Sequence, residues 1–318
     1  TSGLVTDERT LENRHTHPDC LNVSPVLPLR DENPTRRTPI VTLLIIGACL
    51  WLYFGWQPTF GQQGVVRVDT PVGTVSFDEP TAFTLENAAI PCEIVNGRPL
   101  TVEEVVETFS PPIDPEACRG SETFTPPVFP EKSVLLSILT SMFLHGGLAH
   151  LFGNLLFLWI FGNNIEDHMG HLRYLVFYLL GGVVATGAHV ILNLDSTIPM
   201  VGASGAIAAV MGAYLVWFPD APVRTAVFFF FISIVDIRAK WLLGFWFVSQ
   251  FFTSPNSGIA WAAHVGGFIF GVIVGLMVRA NRGLRRATWT RDYRHVDRWD
   301  PTGGVGYGPY ARRRIGRY

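Results

Sequence analysis

The sequence predicts an all-α membrane protein, a bundle of six transmembrane helices with a long external loop between the first two. Three observations predict it. Of 318 residues, 48% are hydrophobic and only 16% charged, with a mean hydropathy of +0.28, which is more apolar than soluble domains of this size sustain. The apolar residues gather into blocks near the roughly 17 to 25 residues that cross a bilayer. The flanking charge is lopsided: residues 57–133 hold twelve acids against Arg67, Arg98, Arg119 and Lys132, whereas eleven arginines and three aspartates follow Val278. Lys and Arg gather on the cytoplasmic side of spans, so the basic tail lies inside. Arg30, Arg36 and Arg37 put the N-terminus there too, and two ends on one side require an even number of spans.

The elements follow in order. Residues 1–38 are polar and proline-bearing without periodicity, the composition of a disordered cytoplasmic tail. His15, His17 and Cys20 lack a fourth partner at metal-ligand spacing. No cleavable leader is visible at this end. Residues 39–56 are the first span, ending in the interfacial aromatics Trp51, Tyr53 and Trp56. Residues 57–133 form an external loop domain, in which Cys92 and Cys118 share the compartment where disulfides persist and are expected to pair. Residues 134–144 are apolar but too short to span. The second span is residues 148–163 and the third is 172–192. The fourth, 204–218, covers only about 22 Å at 1.5 Å per residue, so its start must be sunk below the outer surface. Asp236, Arg238 and Lys240 together would be costly at mid-membrane, which splits the next stretch into an apolar hairpin at 226–235 and a fifth span from Lys240. The sixth is 259–278, and residues 279–318 are a basic cytoplasmic tail.

Spans two, four and six all begin outside, so their early positions share a depth. His150 and Asn154, Ser204, and His264 therefore converge on one level. A serine hydroxyl is a weak nucleophile without a base beside it, and His264 is the histidine of the later spans that reaches the outer half of the bilayer. Ser204 is read as nucleophile and His264 as general base and then acid. No carboxylate in spans four or six is placed to orient His264, so the pair is a dyad whose imidazole is held by packing or by another hydrogen bond. His150 and Asn154, four residues apart on one helix face, can donate to an oxyanion together with the Ser204 backbone N–H at a helix N-terminus. Gly202 and Gly205 allow close backbone approach. His145, five residues before His150, is placed to hold a water or brace the loop. Gly205, Ala209 and Ala213, and Ala263, Gly267, Gly271 and Gly275, form matching small-residue stripes that bring two helix axes together.

The order His145-x4-His150-x3-Asn154, Gly202-x-Ser204-Gly205 and His264-x2-Gly267-x3-Gly271, with Gly162-x3-Glu166-x3-Gly170 between them, resembles the rhomboid family of intramembrane serine proteases over residues 134–278. The resemblance implies a six-helix catalytic core in a bacterial plasma membrane that cleaves transmembrane protein substrates near their outer ends, without metal or cofactor. It also implies Ser204 as nucleophile, His264 as base, and His150 and Asn154 as oxyanion partners. The loop between spans one and two departs from the family, being longer and without the Trp-Arg pair common there. Other classes fit less well. A transporter would line a full crossing with polar groups, and here they stop at one depth; a non-proteolytic binder of membrane clients would lack the serine or the histidine. Glu166, Asp167, His168 and His171 read as structural bracing rather than a metal site. The arginine-rich tail reads as a topology signal and lipid contact, with no stacking aromatics to suggest nucleic acid.

Overall fold

The computed structural model describes residues 26–58, 64–70, 73–110, 113–119, 125–228, 232–253 and 260–282. Residues 1–25, including His15, His17 and Cys20, and residues 283–318 of the basic tail lie outside them.

Among the described residues three helical stretches are long and apolar enough to cross a membrane, Leu148–Met169, His171–Leu192 and Trp261–Ala280. The first is compound: α6 (Leu148–Phe157) runs through one π-helical turn (Leu158–Gly162) into α7 (Asn163–Met169). It extends past the expected end at residue 163 because its polar end is satisfied internally. The Glu166 carboxylate accepts hydrogen bonds from the Val41 and Thr42 backbone N–H groups, both at 2.8 Å, and from the Thr42 hydroxyl. It thereby caps the N-terminus of α1 (Ile40–Gly55), where Pro39 supplies no side-chain cap. The other long helices are α8 (His171–Leu192) and α11 (Trp261–Arg282). Two apolar helices are shorter, α1 and α9 (Ser204–Trp217). A last apolar helix, α10 (Ala239–Ser249), is extended by a 3-10 turn, Gln250–Phe252.

The centre of the bundle is α9, buried on nearly every side. Its most extensive packing is against α11, where the predicted stripes meet: a Cβ on Gly267 would strike the Gly205 carbonyl oxygen, and one on Gly271 the Ala209 carbonyl oxygen. At those crossings backbone lies directly on backbone, a contact that only glycine permits.

The chain is not all-α. Strand β1 (Val26–Asp31), expected in the disordered tail, pairs antiparallel with β4 (Pro222–Phe228), which pairs with β5 (Ile232–Arg238) in the order β1-β4-β5. The register runs from Val26 opposite Val227 to Asp31 opposite Val223, with a shift between Pro28 and Arg30. β-Branched residues, Val223, Thr225 and Val227 on β4 and Ile232, Ile234, Val235 and Ile237 on β5, favour the extended form. Pro28 is tolerated because β1 is an edge strand with a bulge beside it. The charges that disqualified residues 226–240 as a span lie at this hairpin: Arg224 faces Asp236 at 3.4 Å, and Lys240 pairs with Asp220 at 2.8 Å. Residues 229–231, between β4 and β5 in the sequence, are outside the described set.

Residues between α1 and α5 (Val134–Ser141) fold around an apolar core of their own, built from Phe77, Leu85, Ile90, Leu100, Val105 and Val128. A hairpin, β2 (Val65–Thr70) with β3 (Gly73–Asp78), leads into α2 (Glu79–Asn87), α3 (Pro91–Asn96) and α4 (Val102–Phe109). Thr101 and Glu104 close a capping box at the start of α4. Cys92 and Cys118 are joined by a disulfide. Beside it Glu104 also takes a salt bridge from Arg98 at 2.8 Å. Burial alone would raise the Glu104 carboxyl, but hydrogen bonds from Arg98, Thr101 and Arg119 prevail and hold it below its ordinary value. Glu93 and Lys132 form a buried pair 2.6 Å apart, where burial pushes the Glu93 carboxyl up and the Lys132 ammonium down despite their mutual attraction.

Candidate active site

Ser204 and His264 are brought together across the α9–α11 crossing. The Ser204 hydroxyl lies 2.8 Å from His264 Nε2, a distance set by the glycine contact three residues further along α11, where Gly267 rests on the Gly205 carbonyl. The other ring nitrogen, Nδ1, is 2.7 Å from Gln250 Oε1. Sequence reasoning missed Gln250. Its signal was there, a lone amide in the apolar run from Trp241 to Phe252, but nothing in the sequence pointed that amide at His264. The Trp246 ring lies beside the imidazole at 5.8 Å between centroids.

The wall facing this pair comes from the start of α6 and from the connection into α9. Gly202 has φ +125°, a conformation side chains disfavour, and a Cβ there would stand 2.7 Å from His150 Cε1, 2.8 Å from His150 Nε2 and 3.6 Å from Asn154 Nδ2. The glycine thus leaves a gap onto which both polar side chains of α6 face. Asn154 is buried, and its Nδ2 has no hydrogen-bond partner among the described residues. His150 is exposed; its Nδ1 receives the Gly146 N–H at 3.4 Å, which leaves Nε2–H facing the Gly202 side. The site therefore presents unspent donors converging near the Ser204 end of α9, where the first backbone N–H groups of the helix also lack intrahelical partners.

His145 braces rather than contacts this wall. Its Nδ1 bonds the Phe143 carbonyl at 3.1 Å, and its backbone exchanges two hydrogen bonds with the Gln57 side chain at the end of α1. Its ring meets His150 edge-on at 5.3 Å. Gly205 packs on Ala185 of α8, where an added Cβ would come within 2.6 Å of the alanine methyl. Between these elements lies a cavity of about 30 Å³, lined by residues including Ser141, Met142, Thr186, Met200 and Ser204, which is room for a water or a small side chain.

The connection from α8 to Ser204 is held from outside the helices. Met200 N–H bonds the Ala89 carbonyl at 2.8 Å, Cys92 N–H the Ser196 carbonyl at 3.0 Å, and Thr197 N–H the Pro115 carbonyl at 2.9 Å. The disulfide-braced segment is thus a buttress for the chain that leads into Ser204. Residues 254–259, between the Gln250–Phe252 turn and α11, lie outside the described set. Of the expected bracing cluster, Glu166 caps α1 and bonds His171 Nδ1 at 2.6 Å, and His168 stacks on Trp217 at 4.2 Å.

The fold and the site define a helical membrane protein with a serine and a histidine hydrogen-bonded across two apolar helices. Residues 132–281 match the family model of the Rhomboid domain. The chain belongs to the rhomboid family. Among curated proteins it is similar to Rhomboid protease GluP of Bacillus subtilis, 41% identical over 78 residues, which is 24% of this chain and 15% of that one. It is likewise similar to Rhomboid-related protein 2 of Mus musculus, 30% identical over 142 residues, 43% and 46% of the two chains. A third relative, the mitochondrial Presenilin-associated rhomboid-like protein A of Danio rerio, is 28% identical over 148 residues, 44% and 37% of the two chains. The chain spans less than half the length of each of these relatives.

Proposed function

We propose that this protein is an intramembrane serine endopeptidase that cleaves membrane-protein substrates in or next to a transmembrane segment. The observation that carries the reading is the 2.8 Å contact between Ser204 Oγ and His264 Nε2, opposite donors that no protein group satisfies. In the first step Ser204 Oγ attacks the scissile carbonyl carbon while its proton passes to His264 Nε2. The negative charge that forms on the carbonyl oxygen is met by Asn154 Nδ2, His150 Nε2–H and the Ser204 backbone N–H. His264 then returns the proton to the leaving amine as the C–N bond breaks, and a water activated by the same histidine hydrolyses the acyl-enzyme. A regular helix hides its carbonyls, so substrates should unwind near small or helix-destabilising residues, and the small cavity beside Ser204 suits a small side chain.

The arrangement in the membrane follows the charge asymmetry. Six helices, α1, the compound α6–α7, α8, α9, α10 and α11, span with both flanking tails on the cytoplasmic side, and residues 57–133 lie on the opposite face, where a disulfide persists. Residues 134–278 are the catalytic core. Of the three relatives named, one is from a bacterium and one is mitochondrial, and a bacterial plasma membrane remains our placement.

The test is labelling of the purified protein with a fluorescent fluorophosphonate, beside Ser204→Ala and His264→Ala. Labelling of wild type that both substitutions abolish supports an activated Ser204. An unlabelled wild type, beside a rhomboid protease that does label, would replace this reading with a non-proteolytic binder of membrane clients.

A further inference from the structure

Proton transfer from Ser204 needs one tautomer of His264, with the lone pair on Nε2 and the proton on Nδ1, and a free imidazole populates both. We propose that Gln250 is the positioning residue that selects this tautomer, acting through His264 without touching substrate; the inference rests on the protease reading above.

The amide can face His264 in only one sense. Gln250 Nε2 is 3.1 Å from the Trp246 carbonyl oxygen, which only accepts, so the NH₂ must lie on that side. The same nitrogen donates to Ser249 Oγ at 3.3 Å, whose own proton goes to the Trp246 carbonyl at 2.6 Å. Turning the amide over would set oxygen against oxygen at Trp246. With the NH₂ fixed there, Oε1 is what stands 2.7 Å from His264 Nδ1, and a carbonyl oxygen at that distance requires a donor. Nδ1 therefore carries the proton, and Nε2 is left to accept from the Ser204 hydroxyl 2.8 Å away. Gln250 is 8% exposed, so water does not compete for the amide. Its place on the 3-10 turn that ends α10 aims it across at α11, and the Trp246 ring holds the imidazole plane from the same element. A neutral amide here does the orienting that a carboxylate does in a triad, without burying a charge.

The experiment compares wild type, Gln250→Leu and Gln250→Glu, each ¹⁵N-labelled at histidine and solubilised in detergent, with H264A assigning the signal. Imidazole ¹⁵N shifts report the tautomer, and steady-state cleavage of a transmembrane substrate reports kcat and KM. In wild type His264 should be protonated at Nδ1. Q250L should redistribute the proton toward Nε2 and lower kcat about 10²-fold with KM held within about twofold, in the range a misplaced proton costs. Q250E should restore both, because a protonated carboxyl keeps an acceptor toward Nδ1 while its O–H donates to the Trp246 carbonyl. Q250L with the wild-type tautomer and turnover would overturn the proposal, as would a Q250E that folds without rescue. If wild type itself cleaves nothing and resists fluorophosphonate, the protease reading fails; the tautomer comparison still decides whether Gln250 sets the proton.

Discussion

Replacing Gly202 by alanine strikes the site where its backbone and its polar wall are closest. Two costs follow from the structure. The φ of +125° is one that an L side chain occupies only under strain, about 1 to 3 kcal/mol. The new Cβ would also lie 2.7 Å from His150 Cε1, and ordinary contact begins at 3.4 Å, so the imidazole must retreat by about 0.7 Å. Since His150 Nε2 and Asn154 Nδ2 flank that same gap, the retreat takes a donor away from the place where we put the oxyanion. Loss of one such donor costs about 10² to 10³ in rate. We expect Gly202→Ala to fold with a lowered Tm and to cleave a transmembrane substrate in proteoliposomes at least about 10²-fold more slowly. Gly187→Ala is the matched control: that glycine lies within α8, and nothing stands within 4 Å of an added Cβ, so it should be neutral or stabilise by about 0.4 to 1 kcal/mol. A Gly202→Ala protein as fast as the Gly187→Ala control would refute the placement of the oxyanion against this wall.

Three further outcomes are expected. The Cys92–Cys118 bridge spans 26 residues, and removing both cysteines should cost about 3.5 kcal/mol by loop entropy; because this segment holds Met200 and Ser196, thermal scanning and cleavage should fall together, and activity indifferent to the loss would show that the buttress is not needed. Lys132→Met leaves the Glu93 carboxylate buried and unpaired, a loss of about 3 to 5 kcal/mol in denaturant titration that adding Glu93→Leu should largely recover. Burial pushes the Asp31 carboxyl up to about 7, against the opposing hydrogen bond from Tyr214. A carboxyl raised on folding contributes stability that is complete below its unfolded pKa and lost as pH rises to the folded value. Tm should thus decline between about pH 4 and 7, and Asp31→Asn should flatten that slope; an unchanged slope would assign the pH dependence elsewhere.

The sequence by itself determined most of the helices and which polar side chains they carry. Apolar block length marked the bundle, the glycine and alanine repeats marked the α9–α11 contact, and Ser204, His264, His150 and Asn154 were legible because their depth follows from helix rise and alternating direction alone. Glu166 was legible as a brace, though not as the cap of α1, which depends on where a distant helix begins. Tertiary structure alone decided the rest. Strand β1 looked like unstructured tail because its six residues offer no periodicity to read, and only the β4–β5 hairpin, about two hundred residues on, supplies partners for its backbone groups. Gln250 was hidden for the same reason: an amide in an apolar run has no stated direction until α10 and α11 pack together. Local pattern records which groups a segment must bury, while the partner that satisfies each buried polar group is a property of the packed chain.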